Sequence, residues 1–260
     1  MGKRHTALGI KQTIRLEWMQ RAANLRLAGL DKQRIREDLH EYLAERRGSG
    51  QEGMRSDQSR AFAVNCLMRT WVSPDPALVR LRDALLLVLA EQPALGLAAH
   101  WAMISAAYPF WWSVARHTGR LLALQEQVTW AQILNRLRED YGDRQSVSRY
   151  GRYVVRSFVA WRVLADTASR GCYELTTPLA IPDADLCALL FEATLHAMPE
   201  AKAELGLLLA NPGLFPFRLP WMGGDVIAQQ SDRMEVVRYG SEADLLLLSR
   251  GQRLAGPASS

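Results

Sequence analysis

Cysteine is scarce in this 260-residue chain, and the three present, Cys66, Cys172 and Cys187, stand far apart with no CxxC spacing. That excludes a disulfide-stapled scaffold and a zinc ribbon, and it fits reduced thiols in a cytoplasmic protein. Histidine is equally thin. His5, His40, His100, His117 and His196 share no ligand spacing, and His40-Glu41 fails to extend to HExxH because Ala44 stands where the second His belongs. No GxGxxG, phosphate-binding GxxxxGK[ST] or GxSxG motif occurs. The start, MGKRHTALGIKQ, lacks the apolar run of a secretory leader, and no repeat of 20–50 residues is visible. The expectation is therefore a non-enzymatic protein with no cofactor, no metal and no small-molecule substrate. Charge is missing locally too: Gln92–Ala115 contains no Asp, Glu, Lys or Arg. The stretch is long enough to span a bilayer, yet it is Ala-rich, holds His100 and Ser105, and is broken at Tyr108-Pro109. It reads as buried core, with His100 a core histidine and no membrane partner.

What the chain does have is positive charge in two blocks. Residues 1–70 carry 14 Lys/Arg against 8 Asp/Glu, and residues 116–170 carry 10 against 5, whereas residues 171–260 are acidic, 6 against 11. Blocks of this kind suit a polyanion, because each phosphate they neutralise releases counterions. Eight Trp residues are a second excess, and most belong in a core or a groove.

Apolar spacing through Ile14, Trp18, Ala22 and Leu25 predicts a first helix over about 12–28. Gly29 ends it, and Asp31 caps a second over about 32–45 with Ile35, Leu39, Tyr42 and Leu43 inward. That helix carries Lys32, Arg34 and Arg36, but Glu37, Asp38, Glu41 and Glu45 lie close enough to pair with them. Arg46 and Arg47, beside the Gly-rich loop 48–58, remain candidate phosphate contacts. A third helix starts near Gln58, and apolar helices follow Pro76, Pro93 and Pro109.

The informative stretch is 129–165. Thr129 can cap a helix over Trp130–Tyr141 with Ile133, Leu134 and Leu137 on one face, and Gly142 stands just past its end. After a short turn, Ser146 or Ser148 is expected to cap a long helix to about Ala165, with Val154, Val155, Phe158 and Val159 inward. Arg149, Arg152 and Arg156 fall at i, i+3 and i+7 on the opposite face, with no Asp or Glu among residues 149–156. An apolar back and a cationic front are what a helix needs to dock on a partner helix and reach a duplex. Arg144 and Ser146 are placed for phosphate at the helix start, and Tyr150 and Tyr153 flank the arginines. The segment CYELTTPLAIP after Gly171 reads as extended, like a wing behind such a helix. Residues 183–210 read as helix begun by Asp183 and Asp185, and Met234–Tyr239 with Asp244–Ser249 as a hairpin.

These residues resemble, in order, the BrxA family of bacterial BREX phage-exclusion systems. The similarity runs through WMQRAANLRLAGLDKQRIREDLHEYL, RSDQSRAFAVNCLMRTW, LAAHWAMISAAYPFWWSVARHTGRLL and TWAQILNRLREDYGDRQSVSRYGRYVVRSFVAWRVLAD. It implies a small helical protein that binds double-stranded DNA and serves a multi-protein defence system without being its nuclease or methylase. From about Pro199 onward the likeness fades, and the acidic C-terminal part reads as an extension particular to this lineage.

The expected architecture is mostly α: a multi-helix bundle containing helix-turn-helix or winged-helix-like units, with a small C-terminal β-hairpin. It divides into an N-terminal helical domain (1–115), a central basic helix-turn-helix-like region with a wing (116–182), and C-terminal helices plus hairpin (183–260) with a disordered tail from about 254. The expected DNA-binding residues are Arg144, Ser146, Ser148, Arg149, Arg152, Tyr153, Arg156, Arg46 and Arg47. Two alternatives stand beside DNA binding within a defence system. One is a protein–protein adaptor using an exposed groove of Trp101, Trp111 and Trp112. The other is a stand-alone transcriptional regulator, which would dimerise to read half-sites.

Overall fold

The computed structural model describes residues 3–45, 56–239 and 243–249. Arg46, Arg47, the turn at 240–242 and the tail from 254 lie outside these residues.

The first half is built of helices: a single turn α1 (Lys3–Thr6), then α2 (Leu16–Leu27), α3 (Lys32–Ala44), α4 (Asp57–Leu67), α5 (Val79–Glu91), α6 (Gly96–Ala107) and α7 (Pro109–Leu122). Their boundaries follow local chemistry. Gly29 adopts φ +76° between α2 and α3, a left-handed conformation that suits glycine. Asp31 then accepts from the Gln33 and Arg34 amides at 2.9 and 3.0 Å, satisfying donors that a helix start leaves open. The charges of α3 are partly spent nearby, but with other partners than the intrahelical ones expected: Asp38 receives Arg21 of α2 at 2.6 and 2.7 Å, Arg34 lies 3.7 Å from Asp31, and Arg36 donates to Asn65. Pro109 occupies the first position of α7, where a missing amide costs nothing, so the Tyr108-Pro109 step breaks the apolar stretch into two helices. Among the described residues no helix is long and apolar enough to cross a membrane.

Eleven of the twelve residues of α6 are buried, the pattern of a helix surrounded by protein on all sides. Trp101 stands at the centre, with the rings of Trp111, Phe158, Phe215 and Phe217 at centroid distances of 5.6, 4.9, 5.7 and 6.0 Å. Its indole nitrogen donates to the Gly213 carbonyl at 3.1 Å. Trp101 and Trp111 are fully buried and Trp112 nearly so. The exposed groove expected of these three is overturned, because all three are buried, Trp101 and Trp111 among other aromatic rings and Trp112 against Gly213 and Arg116. His100 is also core: burial pushes its pKa down to about 3, and Nε2 meets Gln20 Oε1 at 2.9 Å.

The second half alternates short strands with helices. β1 (Gln127–Thr129) leads directly into α8 (Trp130–Tyr141), then α9 (Gln145–Ala160), β2 (Leu164–Asp166) and β3 (Cys172–Leu175). The three strands form an antiparallel sheet in the order β1-β3-β2, with Val128 opposite Tyr173 and Ala165 opposite Glu174. Next come β4 (Leu179–Ala180), α10 (Ala184–Ala197), β5 (Lys202–Glu204), α11 (Leu205–Leu209), β6 (Phe217–Arg218), α12 (Gly224–Gln230), β7 (Met234–Tyr239) and β8 (Ala243–Leu248). β4 pairs with β6 in parallel, and β5, β7 and β8 form an antiparallel sheet in the order β5-β8-β7. Asp183 caps α10 by accepting from the Leu186 amide. The helix predicted over 183–210 is interrupted, since Met198 leaves helical geometry and residues 202–204 pair with β8. One hydrophobic core runs from Ile10 to Leu248 through both halves.

Candidate nucleic-acid interface

The segment singled out by sequence folds as α8, a tight turn and α9. Thr129 and Gln132 form a reciprocal capping box at the start of α8, and Gly142 takes φ +77° at its end. α8 is fixed to α7 by Asp140, which receives Arg116 and His117 Nε2, each at 2.8 Å. Gly151 lets α9 lie close against α8, because a Cβ there would meet Leu137 Cδ1 and the Trp130 ring at about 3 Å. Val154, Val155 and Phe158 are buried, as the periodicity predicts, Val159 is half-buried, and Val147 joins the buried face.

Two details differ from expectation. Neither Ser146 nor Ser148 caps α9. Arg144 holds the capping position with extended backbone, and both serines lie inside the first turns, half-buried. The Arg144 guanidinium instead turns back and donates to the Tyr141 carbonyl at 2.9 and 3.2 Å, closing the C-terminus of α8. The helix also ends at Ala160 and not near Ala165, because Arg162 takes φ +57° and the chain turns into β2.

Arg149, Arg152 and Arg156 are exposed along one side of α9. They are not equivalent. Arg149 makes no ion pair among the described residues. Arg152 lies over the Trp130 ring, 5.1 Å from its centroid, a contact that orients the guanidinium and leaves its charge outward. Arg156 binds Asp166 of β2 at 2.6 and 2.8 Å, and that hydrogen bond raises its pKa. The acid is absent from α9 itself, so the sequence did not show this pair. Tyr150 and Tyr153 stack beside the stripe, centroids 6.4 Å apart.

Structure adds residues that sequence reading missed. The Ile14 amide donates to Ser157 Oγ at 2.9 Å, and Trp161 Nε1 donates to the Ile14 carbonyl at 2.9 Å. This pins the N-terminal segment along α9 and brings Arg15 beside Arg152 and Arg156. Together with Thr13, Tyr153 and Val159 these line an open cleft of about 510 Å³. Nothing local in the sequence around Arg15 signals this placement. The extended ribbon behind α9 is also displaced from expectation. Its strands are β2 and β3, joined by residues 167–171, and not the two segments flanking Pro178, because Leu179–Ala180 pairs with β6. Arg170 is exposed in that 167–171 connection, where its position before Gly171 between two extended segments was the available signal.

Among the described residues no group of three or more His, Cys, Asp or Glu side chains could hold a metal. No family model, no curated protein and no solved structure matches the chain.

Proposed function

We propose that this chain is a non-enzymatic double-stranded-DNA-binding protein that engages the duplex with α9 and the β2–β3 ribbon. The observation that carries the reading is the order α7, β1, α8, α9, β2, β3 with sheet order β1-β3-β2, which we read as a winged helix-turn-helix. In that arrangement the second helix of the pair lies in the major groove, and the ribbon lies alongside the backbone. The exposed face of that helix carries Arg149, Arg152 and Arg156. Arg15 lines the cleft with Arg152 and Arg156, and Arg170 is exposed in the β2–β3 connection. Arginine forks suit phosphate oxygens and guanine edges, and with Gln145 the one amide side chain on the exposed stripe, arginine dominates it and the balance favours backbone engagement over base reading. The ordered resemblance to the BrxA family sets this activity within a multi-protein phage-defence system of the BREX type.

The test is a titration of a short random-sequence duplex at two salt concentrations, with wild type and Arg149→Ala/Arg152→Ala/Arg156→Ala. Salt-sensitive binding that the folded triple variant loses supports the reading. Absence of binding even at low salt overturns it. A dimer with strong preference for a palindromic site would instead indicate a stand-alone regulator.

A further inference from the structure

The order that builds the α9 unit occurs a second time. A helix (α10), a strand (β5), a helix following it directly (α11), a further helix (α12) and two antiparallel strands (β7, β8) repeat the order α7, β1, α8, α9, β2, β3, with β6, which pairs outside this sheet, set between α11 and α12. Four residues separate helix from strand in both units, 123–126 and 198–201. The central residue of the first strand is buried each time, Val128 and Ala203, and the first strand pairs with the third in both sheets.

The two units present opposite surfaces. Residues 109–175 hold ten Arg and six Asp/Glu, whereas residues 184–249 hold four Lys/Arg and nine Asp/Glu. In place of a 16-residue helix with three arginines stands α12, GDVIAQQ, with no cation and with Asp225 in its first turn. Arg233 is taken by Glu192 at 2.7 Å, and Arg238 by Asp225 and Asp244 at 3.1 and 3.4 Å. Such a face repels phosphate. It exposes apolar surface instead: Trp221 is 86% and Leu207 64% exposed. Trp221, Leu205, Gly206 and Leu209 border one depression of about 280 Å³, rimmed by Glu204 and Asp244. Large exposed apolar groups beside a formed depression mark interaction surfaces, and Trp is the residue most enriched among energetic anchors.

We propose that the second unit is a protein-docking module whose Trp221 depression takes a basic segment of another protein, a Lys/Arg-flanked apolar anchor seated beside Trp221. The choice of partner rests on charge. A second copy packed symmetrically on the same patch would set the exposed Glu204 against itself within two units of net −5, whereas a cationic segment is complementary to Glu204, the rim acid that Arg238 does not engage. The docking module goes beyond the DNA-binding reading and does not depend on it.

A displayed library of random 16-residue peptides, selected on the full chain and counter-selected on Trp221→Ala, provides the probe. Enriched peptides should combine net positive charge with an apolar anchor. Measured by fluorescence anisotropy, their affinity should fall roughly 30-fold or more on Trp221→Ala. It should fall further with salt and with Glu204→Lys. Both substituted side chains are exposed, and an unchanged thermal melt verifies the fold. Enrichment of neutral or acidic peptides, or indifference to Trp221→Ala, would overturn the proposal. So would the absence of enrichment, or a dimer in sedimentation that Trp221→Ala dissociates.

Discussion

Ser157 Oγ accepts the Ile14 amide at 2.9 Å across 143 residues of sequence, while donating to the Tyr153 carbonyl one turn back on α9 at 2.8 Å. One hydroxyl thus serves both the helix and the segment lying against it. With Trp161 holding the Ile14 carbonyl, the peptide is fixed from both sides, and the direction of Arg15 follows.

Ser157→Ala removes the acceptor of the buried Ile14 amide while leaving the volume nearly unchanged. The expected loss is about 1–3 kcal/mol, the cost of leaving a buried donor unmade. Urea denaturation checks it, and a loss below 0.5 kcal/mol, under about half of an ordinary hydrogen bond's net worth, would mean water replaces the hydroxyl.

Arg149 and Arg156 should respond differently in DNA titrations. Arg149→Ala removes an uncompensated cation and should reduce the slope of log affinity against log salt by about one. Arg156→Ala should change it less, because Asp166 already neutralises that guanidinium. Asp166→Asn should therefore tighten binding, and weaker binding in that variant would assign Arg156 to holding the ribbon instead of contacting phosphate.

At Gly119 a Cβ would overlap the Pro212 carbonyl oxygen and press on Phe215. Backbone cannot step aside as a side-chain tip can, so Gly119→Ala should cost about 3 kcal/mol or more. Gly142→Ala has open space around its Cβ but an extended φ +77°, ψ 164° conformation that glycine alone adopts readily. Its cost should be about 1–3 kcal/mol, seen as a smaller drop in melting temperature than at Gly119.

Glu192 is fully buried, and burial raises its pKa despite the opposing pull of Arg233 and Arg80. A carboxyl held neutral more readily in the fold than in the open chain stabilises the fold below its ordinary value near 4.5. That contribution is lost as pH rises through the folded value. Arg233→Met removes the chief counter-charge, with Asp232 and His196 left nearby. At neutral pH it should cost about 3–5 kcal/mol, and the gap to wild type should narrow on acidification. Melting curves across pH test the sign: a gap that widens in acid would assign the damage to packing.

The local grammar of the fold was open to sequence reading. Thr129, Gly142, Asp31, Asp183 and Pro109 act within a turn of where they stand, and the stripe of Arg149, Arg152 and Arg156 follows from helical period. What escaped were contacts between distant segments. Asp166 neutralises Arg156 from a strand ten residues on, and Arg15 reaches the cleft only because Ile14 is bound by residues of α9 and its end. The Trp residues were ambiguous for the same reason, since composition does not say whether a ring meets solvent or four other rings. The repeated topology left no trace as a sequence period: a 16-residue cationic helix corresponds to a 7-residue one opened by an acid, and residues 210–223 are inserted between α11 and α12.

The bond between Ile14 and Ser157 also sets an order of events during synthesis. At roughly 5–20 residues per second, Ile14 leaves the site of peptide bond formation about seven to thirty seconds before its acceptor exists. A ribosome stalled before Ser157 would therefore hold a nascent chain in which the backbone of Ile14 still lacks both its partners, a natural handle for chaperone or protease.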